Sequence, residues 1–201
     1  MKKKAVHLIL FSFLVFSVPA FAVDYDFFGN LQYHNSILSW NVTVGSGTVT
    51  VFTSSWDEGN FDPMLQVWAP NGDLLYQQDD GHNVGSTLSN GVPYSHGTWD
   101  TYYSLDVAAG TYTLTLSTYL NWAYGTNLSD PQWSYAGETP IPIAEWYQPA
   151  NGYRGSYYAV HFLGADRVED GGNNRVPEPL TMLLLGSGLV GVIGFGRKFR
   201  K

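Results

Sequence analysis

Cysteine is absent from this 201-residue chain, and lysine is absent from its long central part. Without cysteine the protein can form no disulfide, use no thiolate, and carry no lipid on a lipoprotein cysteine. Only three of the ten basic residues lie between positions 23 and 175, whereas sixteen of the seventeen acidic residues lie there, so this part has a formal charge of −13. Such a field repels nucleic acid and anionic membrane surfaces and attracts divalent cations.

Familiar catalytic motifs are also missing. There is no His-Glu-x-x-His for zinc, and residues 23–175 contain no Gly-x-Ser-x-Gly nucleophile motif. The four histidines of this part fall on unrelated predicted elements: His34, His82, His96 and His161. The sequence therefore predicts a protein that is not an enzyme. The alternative is a glycan hydrolase, which needs only two suitably spaced carboxylates.

The amino terminus has the three parts of a secretory signal peptide. Lys2, Lys3 and Lys4 form a basic region, residues 8–18 form an apolar core, and Ala20-Phe21-Ala22 has the form of a cleavage site. We therefore expect export, removal of residues 1–22 by signal peptidase, and a mature chain that begins at Val23. An uncleaved helix is the alternative, but its apolar core is short for a membrane span.

The carboxyl terminus combines a short motif, an apolar run and a basic tail. Pro177-Glu178-Pro179 is followed by the uncharged residues 180–196, which are just long enough to span a bilayer as a helix. Basic residues that follow such a segment tend to stay cytoplasmic; here they are Arg197, Lys198, Arg200 and Lys201. A transmembrane helix over 180–196, with residues 23–175 outside the inner membrane, is the predicted topology.

This order of features resembles the PEP-CTERM sorting signal of Gram-negative bacteria, over residues 176–201. The resemblance implies that an exosortase, a membrane-embedded transpeptidase, recognises Val176, Pro177, Glu178 and Pro179 and cuts nearby. It implies a transient inner-membrane anchor, followed by transfer to the cell surface or to an extracellular exopolysaccharide matrix. An ordinary tail anchor is the alternative.

Between the two signals, alternating β-branched and aromatic residues predict an all-β domain over 23–164. The predicted strands are 27–33, 37–44, 47–54, 65–69, 74–78, 102–107, 111–118 and 157–163. Their spacing favours an antiparallel β-sandwich of the jelly-roll kind. In the 111–118 strand, Tyr112, Leu114 and Leu116 are expected to face the core, and Thr111, Thr113 and Thr115 to face water. Residues 81–100 are predicted as a surface loop, 120–154 as an aromatic insertion, and 165–175 as a flexible stalk.

A second resemblance concerns the first part of this domain. Phe61-Asp62-Pro63 leads through Pro70-Asn71-Gly72 to Asp79-Asp80-Gly81, and Ala109-Gly110-Thr111-Tyr112 opens a later strand. Over roughly residues 24–119 this pattern resembles the pre-peptidase C-terminal (PPC) domain and a related β-sandwich found among PEP-CTERM proteins. The resemblance implies a non-catalytic surface, matrix or attachment module.

Two candidate binding sites emerge from the domain. Asp62, Asp79 and Asp80 should meet near one end of a hairpin, where carboxylates suit Ca²⁺; the alternative is that they accept backbone N–H groups in turns. Trp122, Trp133 and Trp146 in the insertion offer rings on which an extracellular polysaccharide could stack, or else they pack the insertion onto the sandwich.

Overall fold

The computed structural model describes residues 23–172, and these residues are mostly β with antiparallel pairing. The two signal segments, and with them the predicted terminal helices, lie outside the described residues. The thirteen strands are β1 (Tyr25–Asn30), β2 (Leu38–Val44), β3 (Gly47–Thr53), β4 (Pro63–Trp68), β5 (Leu74–Gln78), β6 (Gly85–Ser89), β7 (Val92–His96), β8 (Tyr102–Val107), β9 (Gly110–Thr118), β10 (Tyr147–Gln148), β11 (Gly152–Tyr153), β12 (Tyr157–Leu163) and β13 (Arg167–Asp170). One short helix, α1 (Ser55–Gly59), and one 3₁₀ turn (Ile143–Glu145) complete the described part.

Two sheets face each other across one core. The first has the order β1-β12-β3-β8, and the second has the order β13-β2-β9-β4-β5. Trp40 of β2 is fully buried and contacts Phe162 of β12 and Phe27 of β1, with ring centroids 5.9 and 5.7 Å apart. Alternation along β2 and β9 directs one apolar set into this core, because side chains of a strand point to opposite faces in turn.

The β4–β5 hairpin has a wider loop than the Asn-Gly pair predicts. Gly72 N–H donates to the Ala69 carbonyl and Ala69 N–H donates to the Asp73 carbonyl, both at 2.8 Å. Among the residues of this loop, 69–73, only Gly72 has a positive φ, at 89°. The loop therefore combines a four-residue turn, with Pro70 at its second position, and a left-handed glycine that restores strand pairing.

Residues 81–100, predicted as a surface loop, contain the β6–β7 hairpin. Its turn is a second Asn-Gly pair, and here both residues have positive φ: 49° at Asn90 and 80° at Gly91. This is the conformation that a two-residue hairpin requires. The prediction failed because Gly, Ser and Pro in the flanking strands masked the Asn-Gly signal.

The predicted stalk over 165–175 differs from the structure over its first half. Residues 167–170 form β13, which pairs antiparallel with β2 at the edge of the five-stranded sheet. Ala165 and Val168 are buried in the core. Pairing along β2 and burial of Val168 together outweigh the polar composition from which a stalk was predicted.

The outer face of the five-stranded sheet is covered as well. Thr115, expected to face water, is buried; it accepts a hydrogen bond from Trp68 Nε1 and donates to Gln66 Oε1, both at 2.9 Å. Trp133 of the insertion packs edge-on against Trp68, with ring centroids 6.2 Å apart. The insertion thus buries polar residues that strand alternation alone would leave exposed.

Candidate functional site

Three aspartates meet at one end of the β4–β5 hairpin. Asp62 directly precedes β4, and Asp79 and Asp80 directly follow β5. In an antiparallel pair the start of one strand lies beside the end of the other, which is why residues 17 positions apart come together. Each side chain offers an oxygen within 4.8 Å of the other two. The sequence-based expectation that these three carboxylates converge is realised.

The cluster is sheltered and poorly compensated. Asp62 is 2% exposed, and its Oδ2 accepts hydrogen bonds from Asn151 Nδ2 at 2.7 Å and from Gln148 Nε2 at 3.4 Å. Asp62 Oδ1 and Asp79 Oδ1 are buried with no hydrogen-bond partner. None of the ion pairs found within residues 23–172 involves the three aspartates. Negative charge is therefore concentrated here without an ion pair, and the more distant charge of Arg154 offsets it only in part.

The titration of these groups reflects that environment. Burial raises the pKa of Asp79 to about 7, and the negative charges of Asp80 and Asp62 act in the same direction. Burial likewise raises the pKa of Asp62 to about 6, although the hydrogen bonds from Gln148 and Asn151 oppose the change. A nearby positive ion would reverse this preference, because it favours the charged form of each carboxylate.

A cavity of about 80 Å³ opens beside the cluster. It is lined by Asp62, Asp79, Asp80, Trp99, Tyr119, Ala150 and Asn151. Arg154 lies near the cluster but forms no ion pair with it: its guanidinium donates to the Asn151 carbonyl at 2.5 Å and to Asn60 Oδ1 at 2.8 Å, and its guanidinium carbon lies 4.6 Å from the centroid of the Trp56 ring. Gln148 and Asn151 were not predicted, because they belong to the insertion and no local pattern indicates where such a segment folds back.

The tryptophans predicted to stack on sugars have different surroundings. Trp146 is only 7% exposed and packs between His34 and Tyr135, so its ring is not accessible to a ligand. Trp122 is half-buried. The most exposed large side chains of the insertion are instead tyrosines: Tyr124, Tyr147 and Tyr153. Packing onto the sheets, the alternative weighed from sequence, accounts for Trp146.

Trp133 has a different setting, beside a cleft on the outer face of the five-stranded sheet. The cleft has a volume of about 360 Å³ and is lined by Ile37, Ser39, Asn41, Thr113, Thr115, Leu128, Pro131, Trp133 and Gly171. The cleft is thus lined both by strand hydroxyl and amide groups and by a half-buried indole. This combination of an aromatic face and polar groups is typical of sites that bind small polar ligands.

A Ser-His-Asp arrangement, not predicted from sequence, lies on the outer side of the four-stranded sheet. His161 Nδ1 lies 2.7 Å from Asp26 Oδ1, and its Nε2 lies 3.0 Å from Ser54 Oγ. Burial lowers the pKa of His161, although Asp26 opposes that change. The neutral ring then donates from Nδ1 to Asp26 and accepts at Nε2 from Ser54, as in a hydrolase triad.

The surroundings of this arrangement are those of a structural network. Ser54 and His161 are fully buried, and the His161 ring lies between Tyr94 and Phe52, with centroids 4.0 and 4.5 Å away. The backbone N–H of Ser54 donates to the Ala159 carbonyl, so it cannot stabilise an oxyanion. The three side chains satisfy one another beneath the β6–β7 hairpin.

The described residues thus define a mostly β, antiparallel protein with two layered sheets and a sheltered carboxylate cluster. No helix within residues 23–172 combines the length and the apolar character needed to cross a bilayer. The sorting residues Val176 to Pro179 and the basic tail Arg197, Lys198, Arg200 and Lys201 lie outside the described part.

Comparison with known proteins identifies the carboxyl-terminal segment. Residues 175–201 match the model of the PEP-CTERM protein-sorting motif, which confirms the prediction of that signal. The motif supports an exported protein that an exosortase recognises and sorts to the cell envelope. No curated protein matches the chain.

Several solved structures match the chain, and one of them illustrates the level of similarity. It is PliG of Aeromonas hydrophila, a periplasmic lysozyme inhibitor of g-type lysozyme, with 9% sequence identity and a TM-score of 0.35. The alignment covers 77% of this chain and 91% of that one. A likeness at this level carries no conclusion about function. The PPC-like resemblance of residues 24–119 is not confirmed by these comparisons.

Proposed function

We propose that this chain is a non-catalytic protein of the cell surface or of an exopolysaccharide matrix in a Gram-negative bacterium. Signal peptidase removes residues 1–22, and residues 180–196 then hold the protein in the inner membrane, with the basic tail 197–201 inside. An exosortase cuts near Pro177-Glu178-Pro179 and releases the β domain. The observation that carries this proposal is the PEP-CTERM motif at residues 175–201.

The composition of the central part supports a matrix location. A formal charge of −13 over residues 23–175, with no lysine, keeps the domain soluble among anionic polymers and makes it responsive to divalent cations. A domain of roughly 150 residues buries about two thirds of its unfolded surface, so it needs no disulfide to remain folded. Its Ser-His-Asp arrangement, buried and without a free oxyanion donor at Ser54, supports a role without catalysis.

The proposal is tested by the intact mass of protein recovered from the cell surface. We expect wild-type protein to end near Pro177, and the Glu178→Ala variant to retain residues 180–201. Glu169→Ala is the matched control, because Glu169 is an exposed acid of β13 outside the matched motif. Complete tails in all three proteins would mean a permanent membrane anchor and would overturn the sorting proposal.

A second candidate function, binding of an extracellular polysaccharide, rests on the cleft beside Trp133. A cleft lined by an indole and by strand hydroxyl and amide groups suits a sugar, which presents an apolar ring face and a polar edge. We expect Trp133→Ala to weaken retention on the cell's own exopolysaccharide roughly tenfold, about 1.4 kcal/mol. Tyr147→Ala, at an exposed position of β10, serves as the control. Equal retention of both variants, with unchanged melting temperatures, would exclude this cleft.

A further inference from the structure

We propose that the end of the β4–β5 hairpin is a Ca²⁺ site in which Asp62, Asp79 and Asp80 bind one ion. The inference is independent of the sorting signal and concerns the folded domain alone. It rests on the spacing of the three carboxylates, on buried oxygens that have no partner, and on the cavity beside them.

The spacing suits a single shared ion. Ca²⁺ binds oxygens at 2.3–2.6 Å, so two oxygens on one ion are separated by at most about 5 Å. The three aspartates each offer an oxygen within 4.8 Å of the others. The β4–β5 ladder brings them together, since Asp79 directly follows Gln78, which pairs with Leu65, and Asp62 lies three residues before Leu65.

The unpartnered oxygens are a second and separate observation. Asp62 is almost wholly buried, yet its Oδ1 accepts no hydrogen bond, and neither does the buried Asp79 Oδ1. Gln148, which donates to Asp62 Oδ2 and is itself fully buried, also leaves its Oε1 without a donor. Buried acceptors in folded proteins are nearly always satisfied by a donor or a cation. Here the two aspartate oxygens, from side chains that line one cavity, have neither.

The cavity and its chemistry indicate which cation fits. A volume of about 80 Å³ accommodates an ion with one or two waters, since a water occupies about 30 Å³ in the liquid. No histidine or cysteine lines it, and oxygen ligands select a hard cation rather than zinc. Asp carboxylates, together with the side-chain oxygens of Asn151 or Gln148 and water, can reach the six to eight ligands that Ca²⁺ takes.

Binding would tie together two parts of the chain. Asp79 and Asp80 directly follow β5, whereas Gln148 and Asn151, which contact Asp62, belong to the β10–β11 hairpin of the insertion. An ion between them would link the edge of the five-stranded sheet to the insertion. We therefore expect Ca²⁺ to raise the thermal stability of the domain as well as to bind.

The test uses the purified protein after treatment with EDTA. Calorimetric titration with CaCl₂ should give one ion per chain with a Kd on the order of 10⁻⁴ M, the range of extracellular modules. At a hundredfold excess over that Kd, the melting temperature should rise by roughly 5–10 °C. Tb³⁺ in the same site should show luminescence sensitised by Trp99 and Tyr119, which line the cavity.

Variants separate a built site from general attraction to an acidic surface. Asp79→Asn keeps the side-chain shape at a position that accepts no hydrogen bond at Oδ1, so it should fold normally and bind Ca²⁺ at least tenfold more weakly. Asp130→Asn removes an exposed acid of the insertion and should leave affinity and the thermal shift unchanged. Absence of heat and of Tb³⁺ luminescence in the wild type, or equal affinity in wild type and Asp79→Asn, would overturn the proposal.

Discussion

Replacement of Asp100 by alanine should be among the most damaging single changes to this domain. Asp100 precedes β8, is 1% exposed, and its carboxylate accepts four hydrogen bonds. Oδ1 accepts from Thr53 Oγ1 at 2.8 Å, from Ser55 N at 2.7 Å and from Trp56 N at 3.2 Å, and Oδ2 accepts from Gly97 N at 3.0 Å. The side chain therefore holds the first turn of α1, the end of β3 and the segment after β7 together.

The expected loss follows from the donors left behind. In Asp100→Ala the buried Ser55 N–H and Thr53 hydroxyl lose this acceptor, and each buried unsatisfied group costs about 1–3 kcal/mol. The five-residue helix α1 also loses its only charged cap, and a helix of that length has little stability of its own. We expect a loss of about 3–4 kcal/mol from a total that is about 5–15 kcal/mol for domains in general.

The measurement is urea unfolding followed by tryptophan fluorescence. Asp106→Ala is the matched control, because Asp106 also accepts a hydrogen bond from a threonine of β3, Thr48 Oγ1, but does so at the surface of β8. Its loss should change the unfolding free energy by about 0.5 kcal/mol or less. Similar losses in the two variants would refute the argument that burial of the Asp100 network determines its contribution.

Two further predictions concern the carboxylate cluster and the buried triad. In calcium-free buffer, the folded-state pKa values of Asp62 (about 6) and Asp79 (about 7) lie above the ordinary value of 3.8. Their protonated forms thus stabilise the fold fully below about pH 4, and this contribution is lost as the pH rises to about 7. Because water still reaches Asp79, its share of this stabilisation should be about 2 kcal/mol. The measurement is the free energy of unfolding in urea, compared between wild type and Asp79→Asn over this pH range. Free energies that change in parallel with pH in the two proteins would contradict the prediction. In the second prediction, Ser54→Ala should leave any ester hydrolysis by the purified protein unchanged, because Ser54 is buried beside His161; a Ser54-dependent rate would contradict a non-catalytic role.

Strand positions were predictable wherever alternation was strong. The predicted strands 74–78, 102–107 and 157–163 have the observed bounds, and most others differ by one or two residues at their ends. The β6–β7 hairpin was missed although Asn90-Gly91 is the better hairpin signal of the two Asn-Gly pairs. Composition of the flanking strands, rich in Gly and Ser, concealed it. The Asn90-Gly91 turn therefore specifies this hairpin, but a prediction based on hydrophobic periodicity does not detect it.

The site was predictable only in the part that strand pairing controls. Asp62, Asp79 and Asp80 converge because a hairpin brings the start of β4 beside the end of β5. Gln148 and Asn151 come from a segment about 70 residues beyond Asp80, and only the folded insertion places them there. The network of Asp26, Ser54 and His161 likewise joins β1, the residue after β3, and β12. Such long-range register cannot be derived from spacing along a single chain.

The docking of β13 bears on how far the folded domain stands from the sorting motif. Val168 fills part of the core and β13 pairs with β2, so the fold extends to about Gly172. Pro177 follows five residues later, and a fully extended chain covers at most about 3.6 Å per residue, which gives roughly 18 Å. Before any cleavage the edge of the five-stranded sheet must therefore lie within that distance of the motif. A truncation after residue 164 would remove β13 and uncover both β2 and the core around Val168, whereas one after Gly172 would leave the domain whole. A cut near Pro177, as proposed above, therefore lies beyond the last strand and should release the domain without loss of its fold.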